Sequence, residues 1–290
     1  MKVWLIIVII LAMIIAAAVI RCIYELHTLE IVRYNIHSDK IAPGDSLKAV
    51  FLSDLHGREY GEENEELVKL IENESPDIIL VGGDLIVSKD PKKDGAARRF
   101  IKQISHIAPV YYAPGNHEKG MSELRQFRNR NRNYISFLKD NNINFIRNET
   151  KDINGTVSVT GLDLDYDYYR KVHPRKMTDE AMIGYLGKID GSRYNIILAH
   201  DPSFFDEYAA TESDLVLSGH YHGGSIRLPI IGGIISPQFK IFPDHSKGRF
   251  SKNGTEMIVT GGCGSHTVNL RLFNKPEIIA LTFSGNEEKD

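Results

Sequence analysis

Ten residues, Lys48-Ala49-Val50-Phe51-Leu52-Ser53-Asp54-Leu55-His56-Gly57, change from an apolar run to a polar turn. A short apolar run that stops at polar residues and a glycine is typical of a buried strand followed by a loop. The carboxyl end of this strand would deliver Asp54 and His56 into one loop, where both side chains can face a single cation. Carboxylate oxygens and imidazole nitrogens are ligands for transition metals, so the stretch predicts the beginning of a metal site.

Four later apolar runs end in the same way, at polar residues beside glycine or proline. The predicted strands cover residues 77–81, 110–113, 195–199 and 214–218. Apolar residues at helical spacing predict helices at 62–74, 91–107 and 122–141. Strands that alternate with helices are typical of βαβ units, which collect functional groups at the carboxyl ends of their strands.

The residues that follow these strands form an ordered set of oxygen and nitrogen ligands. The set consists of Asp54, His56, Asp84, Asn116, His117, His200, His220 and His222. One Asp or His at a strand end is more often a cap or a satisfied polar residue than a ligand. Five strand ends that all carry such residues, beside glycines that allow close backbone approach, favour a shared metal site.

The composition limits the classes of function. A chain of 290 residues with 42% hydrophobic content can bury a full core and form one large domain with an appendage. A net charge of -3 and a pI near 6.4 argue against a nucleic-acid partner held by bulk positive charge. Cys22 and Cys263 lie far apart, so we expect no disulfide framework.

Residues 3–20 contain no charged side chain and are long enough to cross a bilayer as a helix. A cleaved signal peptide and a buried core helix are the alternatives. The residues after Ala16-Ala17-Ala18 make a poor cleavage site and the segment is apolar on every face, so we expect an uncleaved anchor. The positive charges around the segment are nearly balanced. A short tail before a translocated domain favours a single-pass protein of the cell membrane with an extracytoplasmic catalytic domain.

The chain is expected to have three segments. Residues 1–22 form the membrane anchor, residues 23–45 a linker with a first strand, and residues 46–290 one catalytic domain. Alternating residues at 30–36 predict that first strand, and Pro43-Gly44 closes it with a turn.

The ordered motifs Asp-x-His, Gly-Asp, Gly-Asn-His-Glu, His and Gly-His-x-His, within residues 48–222, resemble those of the calcineurin-like metallophosphoesterases. The resemblance implies an α/β fold, a four-layer α/β/β/α sandwich with two facing sheets, which an N-terminal transmembrane helix would precede. It also implies two divalent metal ions per chain. Three blocks, residues 220–229, 261–264 and 270–277, further resemble the membrane-associated bacterial branch related to the YkuE and YaeI phosphodiesterases.

The resemblance implies a role for each residue of the set. The first metal would be held by Asp54, His56 and His222. The second metal would be held by Asn116, His200 and His220. Asp84 would bridge the two ions, and His117 would be the catalytic residue outside the metal shell.

Physical chemistry agrees with this division of roles. Two cations about 3.5 to 4 Å apart need a bridging carboxylate and lower the pKa of a shared water, which can then attack phosphorus. A mixed oxygen and nitrogen shell suits Mn, Fe or Zn better than Mg. His117 could protonate the leaving oxygen or steady the phosphoryl group, and Asp54 is a candidate to orient it.

Two departures from the family pattern are visible. The apolar residues Leu85-Ile86-Val87 stand where the family often has another Asp or Asn, so we expect a supporting hydrogen bond to be missing there. In the bacterial branch, Thr usually stands at Tyr221 and Gln at Ser225, so the shape of the pocket is expected to differ.

These observations predict a membrane-anchored metal-dependent phosphoric ester hydrolase, either a phosphodiesterase or a phosphomonoesterase, acting on lipid-linked or cell-envelope phosphate esters. The alternatives are a nucleotide or phosphoprotein phosphatase on the same site, and a non-catalytic metal-binding scaffold, which the complete ligand set disfavours. Substrate-binding residues stay open. Arg271 could contact the substrate phosphate or form a structural ion pair, and residues 163–169 are expected to be an exposed polar loop rather than a lid.

Overall fold

The computed structural model describes residues 2–170, 173–228, 230–237, 239–265 and 269–286. The α-helices in those ranges are α1 (Lys2–Leu26), α2 (Glu65–Asn73), α3 (Asp94–Ile104), α4 (Asn116–Glu123), α5 (Arg128–Asp140), α6 (Asp179–Leu186) and α7 (Phe205–Ala209). The first strands are β1 (Glu30–His37), β2 (Ser46–Leu52), β3 (Ile78–Val81), β4 (Val110–Tyr112), β5 (Asn144–Phe145), β6 (Glu149–Asp152) and β7 (Val157–Gly161). The later strands are β8 (Tyr194–Leu198), β9 (Leu215–Ser218), β10 (Ile226–Leu228), β11 (Gly232–Ile235), β12 (Gly248–Lys252), β13 (Thr255–Val259) and β14 (Glu277–Ser284).

Two six-stranded sheets and one separate hairpin contain these strands. The first sheet has the order β1-β14-β2-β3-β4-β5, and β2 to β5 are parallel. The second has the order β12-β13-β9-β8-β7-β6, and β13, β9, β8 and β7 are parallel. Strands β10 and β11 form the separate antiparallel hairpin. The four predicted strands that carry ligands are all observed, as β3, β4, β8 and β9.

Alternate residues of the buried strands pack into different cores. Ala49 and Phe51 of β2 lie in the core between the two sheets, whereas Val50 and Leu52 pack on the other face, against α2, α3 and α5. A third core joins the second sheet to α6 and α7. The predicted four-layer α/β/β/α sandwich is therefore confirmed. The apolar run of β2 is continuous because parallel strands covered on both faces have no solvent side.

The chain after β4 differs from the prediction of one helix over residues 122–141. Two helices, α4 and α5, occupy this region, and α4 begins at Asn116. Asn116 and His117 are therefore in the first turn of a helix rather than in a loop. Glu118 makes this start possible, because its Oε2 accepts a hydrogen bond from the backbone N–H of Gly115 (3.0 Å).

The N-terminal helix continues directly into the sandwich. Helix α1 reaches Leu26, and β1 starts at Glu30 and runs parallel to β14 at the edge of the first sheet. Its Val3–Leu26 portion is long and apolar enough to cross a membrane, and its most apolar window is not buried in the fold. The last turn is different, because the fully buried Glu25 carboxylate accepts a hydrogen bond from the N–H of Asn274 (2.8 Å).

Candidate metal centre

The carboxyl ends of parallel strands from both sheets meet at one rim of the sandwich. Strands β2, β3 and β4 belong to the first sheet, and β8 and β9 belong to the second. The structure brings together at this rim all eight predicted side chains: Asp54, His56, Asp84, Asn116, His117, His200, His220 and His222. The two sheets thus contribute the two halves of one site.

Five of the eight residues have a left-handed backbone. Their φ angles are 57° at Asp54, 51° at His56, 55° at Asp84, 68° at His220 and 51° at His222. This conformation is uncommon for residues other than glycine and costs on the order of 1 to 3 kcal/mol each. Such strain persists where the surrounding structure enforces it, and it concentrates at functional sites. The turns are therefore shaped to aim these side chains rather than to minimise local energy.

Asp54, His56 and His222 form the first group of candidate ligands. His222 Nε2 lies 3.1 Å from His56 Nε2 and 3.5 Å from Asp54 Oδ1. The ring of His222 donates its Nδ1 proton to the Gly264 carbonyl (3.0 Å), which leaves the Nε2 lone pair pointing into the group. Asp54 Oδ1 is buried and accepts no hydrogen bond from the described residues, whereas Oδ2 accepts one from the N–H of His220 (3.0 Å). The unbonded carboxylate oxygen beside an imidazole lone pair fits a cation.

Asn116, His200 and His220 surround a second position. One terminal atom of the Asn116 side-chain amide lies 2.8 Å from His220 Nδ1 and 3.2 Å from both His200 Nε2 and Asp84 Oδ2. His200 donates its Nδ1 proton to the Gly82 carbonyl (2.7 Å), which turns its Nε2 towards the other two residues. With its amide nitrogen on this side, Asn116 donates hydrogen bonds to its neighbours. With its amide oxygen on this side, Asn116 joins the two imidazoles in a donor set that fits a cation.

Both carboxylates lie between the two groups. Asp84 shares one candidate group with His56 and another with His200, and its Oδ2 lies 3.2 Å from His200 Nε2. Asp54 Oδ1 lies 3.8 Å from the same nitrogen. The other oxygen of Asp84 accepts a hydrogen bond from the N–H of His117 (2.8 Å), which fixes the carboxylate. Asp84 is thus positioned to bridge the two groups of candidate ligands, and Asp54 also lies near both groups.

The charges in the site are strongly coupled. Burial by itself would raise the pKa of Asp54 and of Asp84, but the neighbouring histidines hold both below the usual range. Burial would lower the pKa of His200, but Asp84 and Asp54 outweigh it and raise that pKa to about 10. Burial lowers the pKa of His222 to about 3, although Asp54 opposes the shift. Ionised carboxylates and a neutral His222 are ready to bind a cation, whereas His200 must first lose a proton.

His117 differs from the other histidines in its hydrogen bonding. The backbone N–H of Ser88 donates to His117 Nδ1 (3.0 Å), so the neutral ring carries its proton on Nε2. This Nε2 lies 3.9 Å from Asp84 Oδ2. A protonated nitrogen donates hydrogen bonds and does not coordinate cations. The carboxylate beside the ring is that of Asp84 and not that of Asp54, which the sequence had suggested as its orienting partner.

Glu118 is a functional residue to which the sequence had given no role. Its Oε2 accepts from the N–H of Asp84 (2.8 Å), and its Oε1 accepts from the N–H of Leu85 (3.1 Å) and from the Tyr112 hydroxyl (2.6 Å). Burial and the nearby Asp84 raise the pKa of Glu118 to about 7. The carboxylate ties the turn after β3 to the start of α4. At Leu85, support for the site therefore runs through the backbone and not through a polar side chain.

Arg271 is bound to backbone carbonyls beside the site. Its side chain is buried, at 2% exposure, and its guanidinium donates to the carbonyls of Gly264 (2.6 Å), Gly261 (2.8 Å) and Gly262 (3.1 Å). The Gly264 carbonyl also accepts from His222 Nδ1. Arg271 thus holds the loop that orients a candidate ligand. The sequence left a phosphate contact and a structural ion pair open, and no pattern in the sequence indicates this clamp on backbone carbonyls.

An open groove of about 890 Å³ begins at His220. Its walls combine aromatic and cationic side chains, among them Tyr169, Tyr221, Phe239, Arg175, Lys176 and Lys240. The ring of Tyr169 lies 6.0 Å from the His220 ring and 6.4 Å from the His200 ring. Asp165 and Asp167 are exposed, as predicted for an exposed loop over residues 163–169, whereas Asp163 and Tyr168 are buried, which the prediction missed. The aromatic residues of this loop pack against the site because they form part of the third core.

The sequence profile of the calcineurin-like phosphoesterases matches residues 47–224, which include every candidate ligand. The chain belongs to this family. As a calcineurin-like phosphoesterase, it is a metal-dependent phosphoric ester hydrolase, and its family is dinuclear. The prediction of the superfamily from ordered motifs is confirmed.

Proteins similar to this calcineurin-like phosphoesterase occur in bacteria. It is 30% identical over 264 residues to an uncharacterized metallophosphoesterase of Aquifex aeolicus (strain VF5), which covers 90% of this chain and 94% of that protein. It is 26% identical over 267 residues to the uncharacterized metallophosphoesterase YkuE of Bacillus subtilis (strain 168), with coverages of 89% and 86%. The crystal structure of TT1561 of Thermus thermophilus aligns with a TM-score of 0.46 and 15% identity over 75% of this chain and 90% of that chain.

Proposed function

We propose that this protein is a membrane-anchored dinuclear phosphoesterase, either a phosphodiesterase or a phosphomonoesterase, that hydrolyses phosphate esters of lipid-linked or cell-envelope molecules. One observation supports the catalytic part most directly. At the rim, the buried Asp54 Oδ1 has no hydrogen-bond partner among the described residues and lies 3.5 Å from His222 Nε2. A cation bound by these two atoms would supply the partner that the buried oxygen lacks.

The proposed ligands divide between two ions. The first ion would be bound by Asp54, His56 and His222. The second would be bound by Asn116, His200 and His220, with Asp84 shared. Mixed oxygen and nitrogen ligands suit Mn, Fe or Zn. When bound, such a pair supplies Lewis-acid activation of water and of the phosphoryl oxygens.

The chain itself contributes positioning and a proton. His117 presents a protonated Nε2 beside Asp84, where it can donate to the leaving oxygen or to a phosphoryl oxygen. The Ser88 N–H holds the ring in this tautomer. Glu118 fixes the backbone of Asp84 through a hydrogen bond, so that the carboxylate keeps its place when substrate enters.

We propose that helix α1 anchors the protein as a single span of the cell membrane, with the catalytic domain outside the cytoplasm. The length and composition of Val3–Leu26 and the absence of burial over its apolar window support this assignment. The groove supports the substrate class, because its cationic and aromatic walls suit a phosphate ester with an apolar part.

Hydrolysis of a chromogenic bis-phosphate ester with added Mn tests the catalytic assignment. We expect turnover by the wild type and by Asp140→Asn, which changes an exposed carboxylate of α5. Asp84→Asn should lose both turnover and bound metal. Turnover retained by Asp84→Asn would contradict the ligand assignment, and no turnover by the wild type would favour the scaffold. A panel of lipid and nucleotide phosphates then separates the proposed substrate class from a nucleotide phosphatase.

A further inference from the structure

We propose that residues 226–228, 230–237 and 239–242, here called the docking segment, rest on the lipid surface beside the anchor and hold the mouth of the groove against the bilayer. The inference deepens the proposed function and relies on it in treating α1 as a membrane span. Four independent features of the described residues carry it: exposure, pairing, position relative to α1, and contact with the groove.

The first feature is where the exposed apolar side chains are. After α1, eight large hydrophobic side chains are exposed among the described residues, and six of them lie in the docking segment. These six are Leu228, Ile230, Ile231, Phe239, Ile241 and Phe242. Ile230 is fully exposed and Ile241 is 68% exposed. Contiguous apolar surface of this kind marks an interaction site on a soluble domain.

The second feature is that these side chains belong to one patch. The β10–β11 hairpin carries Ile230 and Ile231 in its turn. The chain then returns along β11, where Ile241 forms a bridge with Ile235 and the N–H of Phe242 donates to the Ile234 carbonyl (2.9 Å). Backbone pairing therefore brings the hairpin turn and residues 239–242 into a single surface.

The third feature is that this surface lies beside the loop that contacts the end of α1. The N–H of Arg227 donates to the Leu272 carbonyl (2.9 Å), so β10 lies beside the loop that contains Phe273. The guanidinium of Arg21 lies 5.6 Å from the centre of the Phe273 ring, and Phe273 is itself exposed. The loop that contains Phe273 thus lies between the end of α1 and the docking segment.

The height of this loop relative to the bilayer follows from helix geometry. Arg21 is the first charged residue after the apolar run, and the helix ends five residues later, at Leu26. A helix rises about 1.5 Å per residue, so its end lies roughly 8 Å beyond Arg21. The headgroup layer is about 5 to 8 Å thick. With α1 across the bilayer, the loop around Phe273 therefore lies at the level of the headgroups, and β10 is hydrogen-bonded to this loop.

The fourth feature is the contact between the docking segment and the catalytic groove. Phe239 and Lys240 line the groove that begins at His220. Lys240 Nζ lies 3.3 Å from the Tyr221 hydroxyl and 5.3 Å from the centre of its ring. A wall with aliphatic and aromatic side chains outside and a lysine inside matches a bilayer interface, where apolar groups enter the acyl boundary and cations meet phosphate. A bilayer is thus the occupant, and a lipid phosphate ester can enter the groove from it.

Lipid contact can be measured without catalysis. The only tryptophan is Trp4, so Trp4→Phe/Ile230→Trp carries a single reporter in the docking segment of the full chain. Trp4→Phe/Ile183→Trp is the matched control, because Ile183 is exposed on α6 outside the segment. In phosphatidylcholine and phosphatidylglycerol vesicles with spin-labelled lipid, we expect quenching at position 230 several times that at position 183. Equal quenching at both positions would overturn the proposal. The same result is expected if a protein partner, and not lipid, covers the patch.

Kinetics test the consequence for the substrate. Ile230→Ser/Ile231→Ser should hydrolyse a soluble chromogenic ester as the wild type does, which also reports that the variant is folded. On a phosphate ester embedded in vesicles, we expect the KM of this variant to rise about tenfold or more because apolar contact with the bilayer is lost. Ile183→Ser should behave as the wild type on both substrates. An unchanged KM of the double variant on vesicles would refute docking. If the wild type hydrolyses no ester at all, the proposed function is refuted. In that case the quenching experiment alone decides whether the segment docks on lipid.

Discussion

Replacing Arg271 by lysine tests whether the hydrogen bonds of its guanidinium hold the loop that orients His222. Nη2 of Arg271 donates to three carbonyls at 2.6 to 3.1 Å, and one of them, on Gly264, also orients His222. Nη1 donates to a fourth carbonyl, that of Asn274 (3.3 Å), so the planar fork binds carbonyls through two nitrogens. A lysine keeps the positive charge but has a shorter side chain with all its donors on one atom, so we expect about two of the four contacts to be lost.

The structure sets the size of the effect. A hydrogen bond to a charged group contributes about 1.5 to 3 kcal/mol, and a buried carbonyl left without a donor costs about 1 to 3 kcal/mol. Losing two contacts at a buried position therefore destabilises the fold by roughly 3 kcal/mol. For a domain of this size, each kcal/mol lowers Tm by about 2 to 4 °C, so Arg271→Lys should melt roughly 6 to 12 °C below the wild type. Metal affinity should fall at least about tenfold, because the partner that orients His222 is loosened.

Thermal unfolding of the detergent-solubilised full chain, with metal titration, measures both effects. Arg249→Lys is the matched control, since Arg249 pairs with Glu256 on the surface at 40% side-chain exposure and should change Tm by no more than about 1 to 2 °C. If Arg271 instead bound the substrate, Arg271→Lys would keep its Tm and metal affinity and would raise only KM. That result would refute the clamp.

Three further predictions concern protons and thiols. His117→Ala should keep its bound metal and lose turnover by about a hundredfold, because it removes a proton donor and not a ligand; equal loss of metal would contradict this. Since Asp84 and Asp54 outweigh burial and raise the pKa of His200 to about 10, metal loading at pH 8 should release a proton from its ring, and affinity should increase with pH up to about 10. The number of protons released on metal binding, measured in weak buffer, should be smaller for His200→Asn than for the wild type. Equal proton release by the two proteins would contradict the raised pKa of His200. Burial raises the pKa of Cys263 to about 12, so the Cys22→Ser variant should show no reactive thiol at pH 8 until denaturant is added, whereas fast labelling of the folded protein would show that Cys263 is accessible.

The amino-acid sequence by itself indicated the strands and the polar residues that meet at their ends, and the resemblance of its motifs to a known family implied the sandwich. Strands buried on both faces must be apolar throughout, so β2, β3, β8 and β9 are visible as short apolar runs. Parallel strands place their carboxyl ends at one edge, so polar residues after those runs could be expected to meet. Both arguments depend only on neighbouring residues and on strand polarity. They therefore needed no knowledge of distant contacts.

Only the tertiary structure decided which groups support the ligands and where the surface is apolar. Strand β14 lies between β1 and β2, and this topology brings Asn274 to Glu25, 249 residues away in the sequence. Arg271 and Glu118 act through backbone carbonyls and N–H groups, which every residue carries, so no spacing of side chains predicts their partners. The exposure of Ile230 likewise depends on what the rest of the chain leaves uncovered. Local sequence fixes strands and their ends, whereas burial, hydrogen-bond partners and surfaces are properties of the whole fold.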